Sequence, residues 1–368
     1  MMEQRKGRRL ILFPLPLQGH LNPMLDLANI LHSKGFSLSL SSTPTSTLPT
    51  FQTTLTSLSS LSKMAYRQPR PPQTMSFSLI SLLNIKCVEP FKECLSRLVS
   101  DDVSEDPVSC LITDAIFHFT QAVAESLKLP RIVLRTVSSS SFVVFSAFPL
   151  LREKGYLPIQ VDNMVSATKA SSGLMWNTFE DLEQSSLASL IQQFSIPMFL
   201  IGPFHKHNLV IPSPSSGLLA EDQTSLSWLK TQPPKSVVYM SFGHIVVISE
   251  QEFLEIAWGL AKSEQPFLWV VRPGLVHGVE WLEPLPRGFL ESLSGRGRIV
   301  KWAPQQEVLP HKAVGAFWSH NGWNSTLESI CEGVPMICMP CFGDRKVNAR
   351  FVSQVWKVGL QLENGKLE

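Results

Sequence analysis

The chain has 368 residues, enough for two domains of ordinary size, and 44% of them are hydrophobic against 17% charged, so sizeable cores are expected. Its 32 basic and 30 acidic residues leave a formal charge of +2, which gives no electrostatic reason for nucleic acid or an anionic membrane as partner. No stretch approaches the ~20 apolar residues of a membrane helix.

The start, MMEQRKGRRLILFPLPLQGH, places basic residues before an apolar run, as a secretory leader does. That run is short, holds Pro14 and Pro16, and leads to no small-residue cleavage site, so a cytoplasmic location is expected. Residues 9–15 read as a buried strand. GHLNPMLDLANILHSKG then reads as a helix, with Pro23 in its first turn, Leu25, Leu27, Ile30 and Leu31 on its apolar face and Gly35 as its stop. FSLSLSS is the next strand, and the β-α-β rhythm points to a parallel sheet covered by helices. Ser41 to Gln73 is rich in Ser and Thr without a period, and reads as a loop or a disordered stretch.

Order resumes with the helix CVEPFKECLSRLVSD, the strand VSCLITD ending in Asp114, the helix FTQAVAESLKL and the strand PRIVLRT. GLMWNTFEDLE is a strand running into a helix near Glu180, and IPMFLIGPF closes the first half. The Pro- and Ser-containing stretch over 204–222 reads as a linker between a domain at 1–203 and another at 223–368. The second half restarts the alternation. SLSWLKTQ is a short helix, SVVYMSFG a strand ending at Gly243, and SEQEFLEIAWGLAKSE a helix opened by a Ser-x-x-Glu pattern. PFLWVVR, GRIVKWAPQ, VGAFWSH and VPMICMP read as strands, with NSTLESICEG as a helix. Open parallel sheets bind ligands at the carboxyl ends of their strands, and His20, Asp114, Gly243 and His320 all fall at or just past such ends.

Among six cysteines only Cys338 and Cys341 have C-x-x-C spacing; with no second pair and no nearby histidine ligands they read as packed thiols, and no metal site is expected. GRGR at 295–298 has no third glycine and precedes a strand, so a dinucleotide fingerprint fails, and no Walker-type run exists. HNGWNSTLESICEG is more informative. A helix start presents backbone N–H groups and a positive dipole end to an anion. Gly322 lets the backbone come close, and His320, Asn324 and Ser325 are donors. The structural alternative is a capping box of Ser325 with Glu328 above a buried stripe of Leu327, Ile330, Cys331 and Val334. Spacing leaves both readings open.

Trp302 to Arg345, WAPQQEVLPHKAVGAFWSHNGWNSTLESICEGVPMICMPCFGDR, resembles the signature box of plant UDP-dependent glycosyltransferases of family 1. PLQGHLNPML, LITDAIFHFTQAVAESL, SSGLMWNTFEDLE, FLIGP and SVVYMSFG extend the likeness, and the wording is similar to the subfamily with cytokinin and steviol-glycoside glucosyltransferases. The resemblance implies a GT-B fold, an α/β architecture of two facing Rossmann-like domains with the donor site mainly in the second. It implies that Trp302 stacks on uracil, Gln305 lies beside the uridine and Glu328 holds the ribose. It places His320, Asn324 and Ser325 on the diphosphate, Trp323 beside the sugar, and Asp344 and Arg345 on its hydroxyls. His20 and Asp114 become the catalytic pair of an inverting transfer to a small lipophilic acceptor, such as a flavonoid, terpenoid or hormone. UDP-sugar is a co-substrate, and neither metal nor other cofactor nor a second protein chain is expected.

This chain departs from the family pattern in places. Arg345 stands where glutamine is usual; a guanidinium only donates, and would suit the carboxylate of a uronic acid donor. His244 follows Gly243 where serine is common. The pattern also leads one to expect altered structure over 41–80, a missing segment around Leu157 to Val165, and a second domain without its C-terminal helices. The alternative to an active enzyme is a non-catalytic UDP-sugar binder or inactive remnant.

Overall fold

Short apolar runs rich in Val, Ile, Leu and Phe form two all-parallel sheets, because strands covered by helices on both faces are buried throughout. The computed structural model describes residues 9–40, 77–100, 107–154, 162–207 and 219–362. They divide into two compact units, one holding the described residues to His207 and the other those from Leu219 on.

The first unit contains β1 (Arg9–Phe13), β2 (Ser37–Leu40), β3 (Val108–Asp114), β4 (Arg131–Arg135), β5 (Gly173–Trp176) and β6 (Met198–Leu200), in the order β2-β1-β3-β4-β5-β6. The chain leaves β1 toward β2 and then crosses back to lay β3 on the other side of β1. That reversal is a topological switch point, where open α/β sheets leave a crevice at the carboxyl ends. The end of β1 is pinned by aromatic packing: Phe13 lies 4.4 Å from Phe91 and 4.7 Å from Phe117, ring centre to ring centre. Such pairs contribute about 0.5–1.5 kcal/mol each beyond area burial.

The second unit contains β7 (Val237–Ser241), β8 (Phe267–Val270), β9 (Gly297–Val300), β10 (Val314–Ser319), β11 (Met336–Cys338) and β12 (Gly359–Gln361), in the order β12-β11-β10-β7-β8-β9. Its switch point lies between β7 and β10. Two apolar cores flank this sheet, one around Tyr239, Phe317 and Val334, the other around Phe253, Trp269 and Phe289.

Helix Glu250–Lys262 opens with the expected capping box, in which Ser249 and Glu252 serve each other's backbone N–H groups. Other expectations are corrected. Helix Gln18–Ser33 begins earlier than read, so Pro23 lies in its second turn, and His20 in the first. Helix Phe77–Lys86 occupies part of the region expected to be irregular, while the loop assigned to 41–73 lies outside the described residues. Helices Ser139–Ser146, Phe148–Glu153 and Asp162–Lys169 were not read from the sequence. The first begins in a serine run, and its start is held by a distant carboxylate: Glu183 accepts from the backbone N–H of Ser139 at 3.0 Å and of Ser140 at 2.9 Å. At the expected linker, Phe204 is buried in the first unit's core and the Asp222 backbone N–H donates to the Trp302 carbonyl in the second, at 2.9 Å. Residues 155–161 and 208–218 lie outside the described residues.

Candidate active site and nucleotide-binding site

In the first unit, His20 sits in the first turn of the helix that follows β1, and Asp114 is the last residue of the neighbouring β3. The switch point therefore brings together two residues 94 apart in the chain. His20 Nδ1 lies 2.7 Å from Asp114 Oδ2. A carboxylate only accepts, so Nδ1 carries the proton and donates, leaving the Nε2 lone pair as a base. Asp114 is fully buried, and its other oxygen accepts from the backbone N–H of Ile116 at 2.9 Å. Thr136 Oγ1, just past β4, lies 2.9 Å from the same His20 nitrogen. The ring is thus fixed in tautomer and orientation while its side chain keeps 17% exposure.

A cavity of about 210 Å³ opens beside this pair, with Ile80, Ile116, Phe145 and Met164 among its apolar walls and His118 and Arg135 among its polar ones. Burial first, and then the charge of Arg131, lower the His118 pKa below its ordinary value.

In the second unit, Gly243 follows β7 and His320 follows β10, again across the switch point. The His320 ring is buried and wedged between two glycines. A Cβ on Gly243 would lie 2.8 Å from the ring, and one on Gly322 only 2.6 Å from Nε2, so both positions need the missing side chain. Gly243 also has φ +66°, a backbone region that favours glycine. Burial, followed by the positive charges of Arg345 and His244, holds the His320 imidazole well below its ordinary pKa. It is therefore a neutral hydrogen-bonding group at neutral pH.

Helix Trp323–Cys331 begins at Gly322, which supplies no side-chain cap. This overturns the proposed Ser325–Glu328 capping box: Ser325 lies inside the first turn, not at the cap. Its Oγ accepts from Gln305 Nε2 at 2.9 Å, and the Glu328 carboxylate accepts from Gln305 at 2.6 Å and from Gln306 at 3.1 Å. Tyr239 donates to Gln305 Oε1 at 3.2 Å and completes a polar cluster. Leu327 and Val334 are buried as expected, whereas Ile330 and Cys331 are only partly so.

Trp302 packs half-buried against the core beneath that cluster. Trp323 is buried with its ring 6.4 Å from Trp356. Asn324 stands in the first turn of the helix. Asp344 precedes helix Arg345–Arg350, where Asn348 donates to the Asn321 carbonyl at 2.9 Å. Arg345 is buried with its guanidinium 4.0 Å above the Phe342 ring and with Nη1 lacking a hydrogen-bond partner. Burial lowers its pKa, and Asp344 opposes that fall.

Several contributing residues carry no sequence signal. Arg272 reads as the end of a strand, yet its buried guanidinium donates to the carbonyls of Gly243 at 3.1 Å, Pro273 at 3.0 Å and Val246, and so shapes the loop after β7. Thr136 and Arg135 are equally silent. A polar residue at or just past the end of a strand has no period to betray it.

A family model described as UDP-glucoronosyl and UDP-glucosyl transferase matches residues 217–366. UDP-glycosyltransferase 76B1 of Arabidopsis thaliana is 47% identical over 402 residues, covering 99% of this chain and 87% of its own length. The chain belongs to the plant family 1 UDP-glycosyltransferases. UDP-glycosyltransferase 76G1 of Stevia rebaudiana is 44% identical, with 98% of this chain and 86% of that protein covered. The solved structure of Phytolacca americana UGT2, complexed with UDP-2fluoro-glucose and pterostilbene, superposes with a TM-score of 0.76 at 27% identity, covering 99% of this chain and 88% of that one. The two parallel sheets are those of the GT-B fold, and the protein is a transferase that takes a sugar from a UDP-sugar. The Arabidopsis alignment is longer than this 368-residue UDP-glycosyltransferase, so internal stretches of the relative have no counterpart here. Among the described residues no helix is long and apolar enough to cross a membrane.

Proposed function

We propose that this protein transfers a hexose, glucose in the first instance, from the UDP-sugar to a hydroxyl of a small lipophilic plant metabolite, with inversion at the anomeric carbon. Flavonoids such as quercetin, terpenoids and hormones are the acceptor classes. The observation that carries this reading is the 2.7 Å contact of His20 Nδ1 with the buried Asp114 carboxylate, which leaves Nε2 as the general base. As the acceptor oxygen bonds to the anomeric carbon, its proton passes to His20 Nε2. The bond from that carbon to the β-phosphate oxygen breaks, and its electron pair leaves with UDP. Asp114 and Thr136 keep the ring oriented, and Asp114 stabilises the imidazolium that forms.

In the same reading the donor is held by the second unit. Trp302 offers a flat face to the base, and Glu328, freed from Gln305 and Gln306, accepts from the ribose hydroxyls. The diphosphate lies at the start of helix Trp323–Cys331, where Gly322 brings the backbone close, His320 and Ser325 donate, and Asn324 adds its amide. Gly243 and His244 border the phosphates, and Trp323, Asp344 and Arg345 face the sugar. The enzyme works as a cytoplasmic monomer with no metal.

Mass-spectrometric detection of glycosides from UDP-glucose or UDP-glucuronate with a panel of phenols and alcohols tests the proposal. Glucosides that vanish in His20→Ala support it. UDP binding without any product supports the inactive-remnant alternative. Arg345→Gln refines the donor: a switch from glucuronate to glucose would assign Arg345 to a donor carboxylate, and equal glucose transfer in both proteins would remove that role.

A further inference from the structure

Two arginines four residues apart on β4 have opposite fates. Arg131 is buried with its donors engaged: Nε to Thr113 Oγ1 at 2.9 Å, Nη1 to Gln121 Oε1 at 3.1 Å and the Ala167 carbonyl at 3.2 Å, Nη2 to the Phe117 carbonyl at 3.5 Å. It is a structural residue. Arg135 is buried as deeply, with 2% exposure, yet Nε and Nη2 have no hydrogen-bond partner. One face of its guanidinium lies 3.6 Å from the centre of the Phe142 ring, a stacking contact that leaves the N–H groups in the guanidinium plane unused. The acidic group whose charge acts on it is Asp114, which is already committed to His20 and to the Ile116 backbone. Burial brings the Arg135 pKa down to about 9, so it remains a cation at neutral pH. A buried cation with unused donors requires a partner, because such groups in native proteins are almost always satisfied.

Arg135 lines the same cavity as His20. The rest of that wall includes Ile80, Ile116, Phe145 and Met164, a surface for an apolar body. A planar guanidinium matches a carboxylate in two parallel hydrogen bonds.

We propose that the acceptors of this enzyme are small hydroxy acids, with the acceptor's carboxylate bound by Arg135 and its hydroxyl presented to His20. The inference rests on the reading of His20 as the base and narrows the acceptor class within it. The carboxylate is not consumed. The new bond joins the hydroxyl oxygen to the anomeric carbon, the proton goes to His20, and UDP leaves with the electron pair of the broken bond. A site built to pair a polar group discriminates sharply against an analogue that lacks it.

The test uses 3- and 4-hydroxybenzoate and their methyl esters as probes. Binding is measured by calorimetry, and kcat and KM are measured with UDP-glucose, for the wild type and for Arg135→Gln and Arg135→Lys. Thermal melts check that the variants fold. At least one acid is expected to bind ~10-fold or more tightly than its ester, roughly the effect of one charge-assisted pair. Arg135→Gln should erase that ratio by raising KM for the acid, and Arg135→Lys, which keeps the charge, should retain part of it. Acid and ester binding equally, neither binding, or an acid preference that survives Arg135→Gln would overturn the proposal. So would products in which the sugar is esterified to the carboxylate. Failure of the base assignment reads differently: turnover would persist in His20→Ala while the acid preference remained intact.

Discussion

The two switch points of this molecule share one topology and have opposite electrostatics. In the first unit a histidine follows one strand and meets a buried carboxylate at the end of its neighbour, and the pair is complete as it stands. In the second unit the histidine follows the crossover strand itself; it bonds to the Ser241 backbone, and the charged groups acting on it are Arg345, His244 and Arg272, all of them positive or able to become so. The first histidine has its Nδ1 set against a carboxylate and a threonine hydroxyl. The second is kept neutral among cations. The first arrangement suits proton transfer; the second suits an anion that arrives from outside. The same sheet topology therefore serves two chemistries, and the groups facing each histidine decide which.

Substitutions at the two histidines separate these roles most strongly. Replacing His20 with alanine should lower kcat by about 10²–10⁴-fold, the usual contribution of a positioned general base, and leave UDP affinity within about twofold. Replacing His320 with alanine should do the reverse: UDP binding, measured by calorimetry, should weaken by roughly 10–100-fold, as expected for losing a hydrogen bond to a charged partner. Equal losses of UDP affinity in both variants would break the comparison.

Smaller effects sharpen it. If Glu328 takes the proposed ribose role, Glu328→Ala should weaken binding of UDP about tenfold and that of a uracil nucleotide without ribose hydroxyls less, since the second loses only the carboxylate's hold on Gln305 and Gln306. Thr136→Val should lower kcat a few-fold with KM for UDP-glucose unchanged, because Asp114 still orients the ring. The pH dependence of stability gives the mildest test. His320 has a folded-state pKa below the unfolded value of ~6.5, so as pH falls below that value the unfolded chain takes up a proton that the folded one refuses. Stability contributed by this site is present above pH ~6.5 and is lost on acidification through that window. His118 and His311 are shifted the same way, so the comparison is between wild type and His320→Gln: the variant's melting temperature should fall less between pH 7 and pH 5.5.

Much of the fold was legible because parallel sheets write themselves as apolar runs separated by amphipathic helices. Helix Glu250–Lys262 was readable to its cap, since Ser249 and Glu252 act within one turn. Helix Ser139–Ser146 was not: its local cap, Ser138, is one of four consecutive serines, and two further N–H groups of its start are held by Glu183, 44 positions away from Ser139. The same contrast holds at the sites. His320 and Gly322 were visible as a local glycine-bearing turn into a helix. His20 and Asp114 were placed at strand ends by the sequence but paired only through resemblance, since nothing near either residue announces a partner 94 positions distant. The capping-box reading of Ser325 and Glu328, left open by spacing, fails because the helix starts at Trp323, and Gln305 instead bonds both side chains. Arg135 and Arg131 look alike in sequence, and only the packing around them tells a satisfied guanidinium from an unsatisfied one.

The division of labour between a histidine paired with a carboxylate and one set among cations is tested most directly by measuring, on one preparation of His20→Ala, both glycoside turnover and UDP affinity. Turnover reduced at least a hundredfold with UDP affinity within twofold of wild type is the predicted result. Turnover within a few-fold of wild type, or affinity lost in step with it, would contradict the assignment of His20 to proton transfer.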